Sequence, residues 1–142
     1  IGQRFTIISV VIDIHDDRLG HTNLVIIDNY RHAIERFDPT GLSNFDDCDL
    51  DLKLSGLGYK YLLPLEICIL NGPQRFDCTT YQSGDSTAGG YCVAWCALYG
   101  HMRLIHPEFP QKSVTQTMLQ LALKPNFIKR YLSFYNMISQ NF

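Results

Sequence analysis

A chain of 142 residues accommodates one domain, and 46% apolar with 18% charged residues is globular composition that excludes extended disorder. The net charge of −2 supplies no basic excess to neutralise a phosphate backbone, so nucleic acid is not an expected partner. Five cysteines are an odd number for a domain of this size, which points to free thiols in a reducing intracellular compartment rather than a disulfide scaffold. No apolar run reaches the ~18 residues of a membrane span, and no leader pattern precedes the first strand. The start at Ile1 implies a single domain, residues 1–142, cut from a longer chain.

The N-terminal half reads as β. Arg4 to His15 is dense in Ile and Val, the pattern of a strand buried on both faces. Asp16 to Gly20 is turn material. His21 to Asp28 and Ala33 to Asp38 form a second and a third strand joined around Asn29 and Tyr30. From Pro39 to Gly58 the composition is that of a loop with room for one short helix. Tyr59 to Leu70 contains the run LEICIL, a fourth strand. The glycine-rich stretch Asn71 to Gly90 is a long connection, of a length usually associated with function.

The C-terminal half reads as three helices. The first runs from Tyr91 to Ile105. The second is capped by Ser113, with Val114, Met118, Leu121 and Ala122 on one face. The third is capped by Asn126 and carries the stripe Phe127, Tyr131, Phe134 and Ile138. Strands first and helices last is the order of an α+β domain.

Two places could carry chemistry. With the hairpin turn centred between Asn29 and Tyr30, His21 falls directly opposite Asp38, where imidazole and carboxylate can bond. Asp28, an odd number of positions from His21 on the same strand, points to the other face. Taken alone, the hairpin describes a surface His–Asp pair. Cys92 follows Gly89, Gly90 and Tyr91 at a helix start, where free amides and the helix dipole favour a thiolate. Cys96, one turn further, sits among apolar neighbours and reads as a core thiol.

The order His, Asp, glycine-rich loop, Cys on a helix resembles the ubiquitin-like-protein-specific cysteine proteases, the group of the SUMO proteases and the adenovirus protease. The version in large DNA viruses is the nearest in pattern. Its pieces here read His21-Thr22-Asn23, Glu35-Arg36-Phe37-Asp38-Pro39, Gly90-Tyr91-Cys92-Val93-Ala94-Trp95 and Arg103-Leu104-Ile105-His106-Pro107, spanning nearly the whole chain. The resemblance implies a papain-like fold, an antiparallel sheet packed on C-terminal helices with the nucleophile at a helix N-terminus. It implies Cys92 as nucleophile, His21 as base and Asp38 as the acid that orients it, with Asn23, Gly90 and Trp95 at substrate-binding positions. The implied substrates are Gly-Gly tails of ubiquitin-like modifiers or Gly-Gly sites in viral precursors. The implied partners are that protein substrate and other virion proteins, in host cytoplasm or virion. No cofactor, metal, nucleic acid or membrane is called for.

Two positions depart from the family pattern. Asp85 and Ser86 stand where the family supplies an oxyanion Gln, leaving Gln82, more distantly Gln74, a protonated Asp85, backbone N–H groups near Cys92, or an impaired site. Thr22 stands where many relatives carry a Trp that clamps the substrate's glycines.

Three other readings remain. An acyltransferase of a related clan would use the same His–acid–Cys set. An impaired protease-fold protein would serve as a structural component of a large DNA virus particle. A zinc module from Cys92, Cys96, His101 and His106 has suggestive spacing, but on one continuous helix the histidines drift away from the cysteine face.

Overall fold

The computed structural model describes residues 2–12, 21–41, 48–62, 72–76 and 91–140. The expected turn at 16–20, the LEICIL run at 65–70, and Gln82, Asp85 and Gly90 lie outside the described residues. Within the described residues the chain is α+β. Strands β1 (Phe5–Ile12), β2 (His21–Asp28) and β3 (Ala33–Phe37) pair antiparallel in chain order. A short β4 (Lys60–Leu62) then adds parallel to β3, making a four-stranded mixed sheet. Helix α1 (Cys48–Ser55) precedes β4, within the stretch read as loop with room for a helix. A single helical turn, α2 (Pro73–Phe76), interrupts what reads in sequence as an unbroken connection. Helices α3 (Cys92–Ile105), α4 (Gln111–Ala122) and α5 (Phe127–Ser139) follow.

Burial on both faces of β1 is not observed. Among the described residues β1 lies at the edge of the sheet, with Phe5 buried and Ile7, Ile8 and Val11 exposed. Ile and Val density here reflects the β preference of branched side chains, not burial. The hairpin register also differs from expectation. The ladder pairs Leu24 with Phe37 and Asp28 with Ala33, a displacement of two positions. Its cause is Asp28, whose carboxylate accepts the N–H groups of Tyr30 (3.0 Å) and Arg31 (3.2 Å). That side-chain turn, closed by His32 at φ 47°, lengthens the connection to four residues, 29–32. A two-residue slip preserves which face each side chain occupies, so the core pattern survives it.

One face of the hairpin, Leu24, Ile26 and Phe37, packs against Ala94, Trp95, Leu98 and Tyr99 of α3, with Val114, Met118 and Ala122 of α4 and Ile128 of α5 completing the core. Phe37 and Tyr99 stack with ring centroids 4.2 Å apart. Gly100 lets α3 approach β2 closely, since a Cβ there would stand 3.1 Å from a Leu24 methyl. The opposite face carries a smaller cluster of Val25, Ile34 and Tyr61.

A buried ion pair ties β3 to α3. Arg103 Nε donates to Glu35 Oε1 at 2.8 Å, and its Nη1 donates to the Phe109 carbonyl at 2.9 Å. Helix α4 begins at Gln111 with extended Pro110 before it, and the Pro110 carbonyl accepts the N–H groups of Ser113 and Val114. Ser113 is therefore inside the first turn and not the cap. Asn126 does stand before α5, but in a left-handed conformation with no side-chain capping bond. On α5 the expected Phe127 and Tyr131 pack against the core beside buried Ile128 and partly buried Leu132, while Phe134 and Ile138 are exposed, so the stripe holds only over the first half of the helix. Among the described residues no helix is long and apolar enough to cross a membrane.

Candidate active site

The site forms where the β2–β3 ladder stops. Its last pair is Leu24 with Phe37. Continued by two positions, the register would set Thr22 against Pro39, which has no N–H to give to a strand neighbour. The chain instead turns through Asp38-Pro39-Thr40-Gly41, with Gly41 N–H donating to the Asp38 carbonyl at 3.1 Å. Asp first, Pro second and Gly fourth are the residues such a turn favours, and Gly41 adopts φ 92°. Gly72 closes on this turn so tightly that a Cβ would lie 2.2 Å from the Pro39 carbonyl oxygen.

The turn fixes the Asp38 carboxylate. Oδ1 accepts the Thr40 N–H at 2.9 Å and the Thr40 hydroxyl at 2.7 Å. The same oxygen lies 2.8 Å from His21 Nε2. On its other side Arg36 Nη1 stands 3.7 Å from Oδ2 and donates to Asn23 Oδ1. Asp38, Arg36 and Asn23 are all buried. His21 meets Asp38 diagonally rather than directly opposite, because of the two-position displacement. A ring and a carboxylate at strand ends span that diagonal.

Cys92 is the first residue of α3, behind Tyr91, which makes no side-chain capping bond, and the helix has no acidic residue in its first turn. The first-turn amides and the positive end of the dipole are therefore uncompensated within the helix. The His21 ring and the backbone N–H and hydroxyl of Thr22 are the groups that act on the charge of the Cys92 thiol. With Nε2 committed to Asp38, Nδ1 is the ring nitrogen left for sulfur. Cys96, one turn on, donates its S–H to the Thr22 carbonyl at 3.4 Å. Thus the Thr22 carbonyl, beyond the last pair of the ladder, is taken up by the Cys96 thiol of α3.

These contacts set the charge states. The hydrogen bond to Asp38, then that to Cys92, raise the His21 imidazole to about 9 against the opposing effect of burial. Burial works to raise the Cys92 thiol, but the hydrogen bonds from His21 and Thr22 and the His21 charge outweigh it and bring the thiol down to about 7. Burial likewise opposes ionisation of Asp38, while the bonds from His21 and Thr40 hold its carboxyl below the ordinary carboxylate value. Cys96 is pushed far up by burial and by the charges of Cys92 and Asp38. Between about pH 7 and 9 the favoured state is a Cys92 thiolate beside a His21 imidazolium.

The structure thus brings together His21, Asp38 and Cys92. It does not give a substrate surface to Asn23 or Trp95, which are both 0% exposed. Asn23 is occupied by Arg36, and Trp95 packs toward Phe127 at a centroid distance of 6.1 Å. Burial does not separate the two cysteines, at 4% and 2% exposure; their hydrogen bonds do. Gln74 is anchored through its N–H to the Pro39 carbonyl at 2.9 Å. His101 is exposed while Cys92 and Cys96 are buried, so the zinc spacing does not converge, and no metal-holding group of three or more such residues occurs among the described residues. Sequence reasoning missed Thr22 and Thr40 as partners of the nucleophile and the acid. The Asp-x-Thr turn signal at 38–40 was available for the second; nothing in the local pattern marks the first.

No protein-family model matches the chain, and no curated protein or solved structure is significantly similar to it.

Proposed function

We propose that the protein is a cysteine peptidase that cleaves after Gly-Gly in a ubiquitin-like modifier or a viral precursor. The observation that carries this reading is an imidazole, His21, whose Nε2 lies 2.8 Å from the buried Asp38 carboxylate and which lowers the Cys92 thiol at the N-terminus of a helix. In the reaction the Cys92 thiolate attacks the scissile carbonyl carbon, forming a C–S bond and an oxyanion. The oxyanion collapses, the C–N bond breaks, and the amine leaves with the proton of the His21 imidazolium. Neutral His21 then takes a proton from water, whose oxygen attacks the thioester. The C–S bond breaks, restoring the thiolate–imidazolium pair and releasing a carboxylic acid that gives its proton to solvent. Asp38 stays ionised throughout and holds the ring in line. The first-turn amides of α3 supply oxyanion donors beside Cys92. The Gly-Gly preference rests on the resemblance of the four sequence pieces to the viral and SUMO-type proteases.

Turnover of a ubiquitin-like C-terminal Gly-Gly coumarin amide tests the proposal. Release of coumarin is expected from the native chain and none from Cys92→Ala with an unchanged circular dichroism spectrum. One observation favours a second reading, an impaired protease-fold structural protein: the nucleophile is only 4% exposed. Equal, background-level turnover by both chains supports that reading and contradicts the first. Acetylation of Cys92 by an acyl-CoA without hydrolysis identifies the acyltransferase alternative.

A further inference from the structure

The strand that leads into Asp38 reads Glu35-Arg36-Phe37, and period-two alternation sends neighbouring side chains to opposite faces of the sheet. Glu35 and Phe37 go to α3, where Arg103 and Tyr99 meet them. Arg36 pairs with Val25 across the ladder and lies on the other face, toward Asn23 and Asp38. A guanidinium keeps its proton at any accessible pH, so this is a full charge held at 1% exposure. Such a charge persists in an interior only against an opposite one. Arg36 Nη1 donates to Asn23 Oδ1 and stands 3.7 Å from Asp38 Oδ2.

The two oxygens of Asp38 thus face different cations, with Oδ1 2.8 Å from His21 Nε2 and Oδ2 toward Arg36. Thr40 already fixes Oδ1 through its N–H and hydroxyl, so what Arg36 adds is charge. We propose that Arg36 is a positioning residue that acts through Asp38: anchored by Asn23, it shares the carboxylate with His21 and so loosens the acid's hold on the proton that the ring must give to the leaving amine. The inference rests on the reading of His21 and Asp38 as catalytic and adds the group that moderates their bond. A ring clamped to an undivided carboxylate accepts a proton readily but surrenders it slowly. Among the described residues, the charged and titratable groups that act on the His21–Asp38 pair are Arg36 on β3 and Cys92 and Cys96 on α3. With His21 and Cys92 ionised and Cys96 neutral, Arg36 brings the buried set to neutrality. Without Arg36 the set carries one negative charge.

The experiment is an NMR titration of the His21 ring protons, with steady-state turnover of the Gly-Gly coumarin amide, in the native chain, Arg36→Gln and Arg36→Lys. Glutamine keeps a donor for Asn23 Oδ1 and removes the charge, whereas lysine keeps the charge. Arg36→Gln is expected to raise the His21 inflection by about 0.5–1 pH unit and to lower kcat about threefold to tenfold, with KM within about twofold of native. Arg36→Lys is expected to stay within about 0.3 pH unit of native. Should Arg36→Gln fail to fold, Arg36→Met carries the same expectation. An inflection that is unchanged, or that falls toward 6.5 as it would if Arg36 merely held Asp38 in place, overturns the role of Arg36. The ring titrates with or without turnover, so a native chain that shows the raised His21 value but cleaves nothing overturns instead the peptidase reading.

Discussion

Glu35 and Arg103, 68 positions apart in the chain, form an ion pair of 2.8 Å in the interior, each with a side chain no more than 2% exposed. The pair bolts the strand that delivers Asp38 to the helix that delivers Cys92. Burial raises the Glu35 carboxyl, and the Arg103 charge and hydrogen bond offset that only in part. Such a pair adds little against a well-packed apolar substitute, but breaking it strands a buried charge.

Arg103→Ala is therefore expected to lower unfolding free energy by about 3–5 kcal/mol, read from urea denaturation. The double variant Glu35→Leu/Arg103→Met is expected to recover part of that loss, because it removes both charges and refills the space. A double variant less stable than Arg103→Ala would contradict this account.

Asp38→Asn tests the acid. Asp38 is the largest cause of the raised His21 value, so the imidazole is expected to fall from about 9 toward 6.5 in an NMR titration of the ring protons. The sign for stability follows. A group raised on folding contributes fully below its unfolded value of 6.5 and loses that contribution as pH rises through about 9. The native chain should thus be favoured over Asp38→Asn most strongly below pH 6.5, as long as Asp38 itself stays ionised. Gly-Gly amide turnover in Asp38→Asn is expected to drop by about 10³-fold or more.

Cys96 supplies an internal control for reactivity. It lies one turn from Cys92 and is equally covered, but burial pushes its thiol up where hydrogen bonds bring Cys92 down. At pH 7.5 the native chain is expected to alkylate at Cys92 at least about 10²-fold faster than at Cys96, by mass-spectrometric mapping. Comparable rates would mean that the hydrogen bonds to Cys92 do not set its charge.

Much of this site was legible in the sequence because it depends on local rules. The strands at His21–Asp28 and Ala33–Phe37 and the helix beginning at Cys92 follow from β-branched density and from the glycines before Tyr91. Period-two alternation excluded Asp28 as the partner of His21, and Asp28 indeed pairs with Arg4 at 3.2 Å. The register escaped because it depends on a side chain, the Asp28 carboxylate bonding two amides ahead of it. Edge or centre is a property of neighbours, which is why Ile7 and Val11 read as buried and are not. The bond from the Cys96 thiol to the Thr22 carbonyl was invisible for the same reason, since it forms only once Pro39 has ended one ladder and a helix more than 70 residues later has filled the gap.

The most direct measurement is covalent capture with a ubiquitin-like protein ending in a Gly-Gly electrophile, followed by intact mass and peptide mapping. One adduct at Cys92 is predicted, absent in Cys92→Ala and slowed at least about 10²-fold in His21→Ala. No adduct, or an adduct at another cysteine that persists in Cys92→Ala, would contradict the assignment of Cys92, His21 and Asp38 as the machinery of a peptidase.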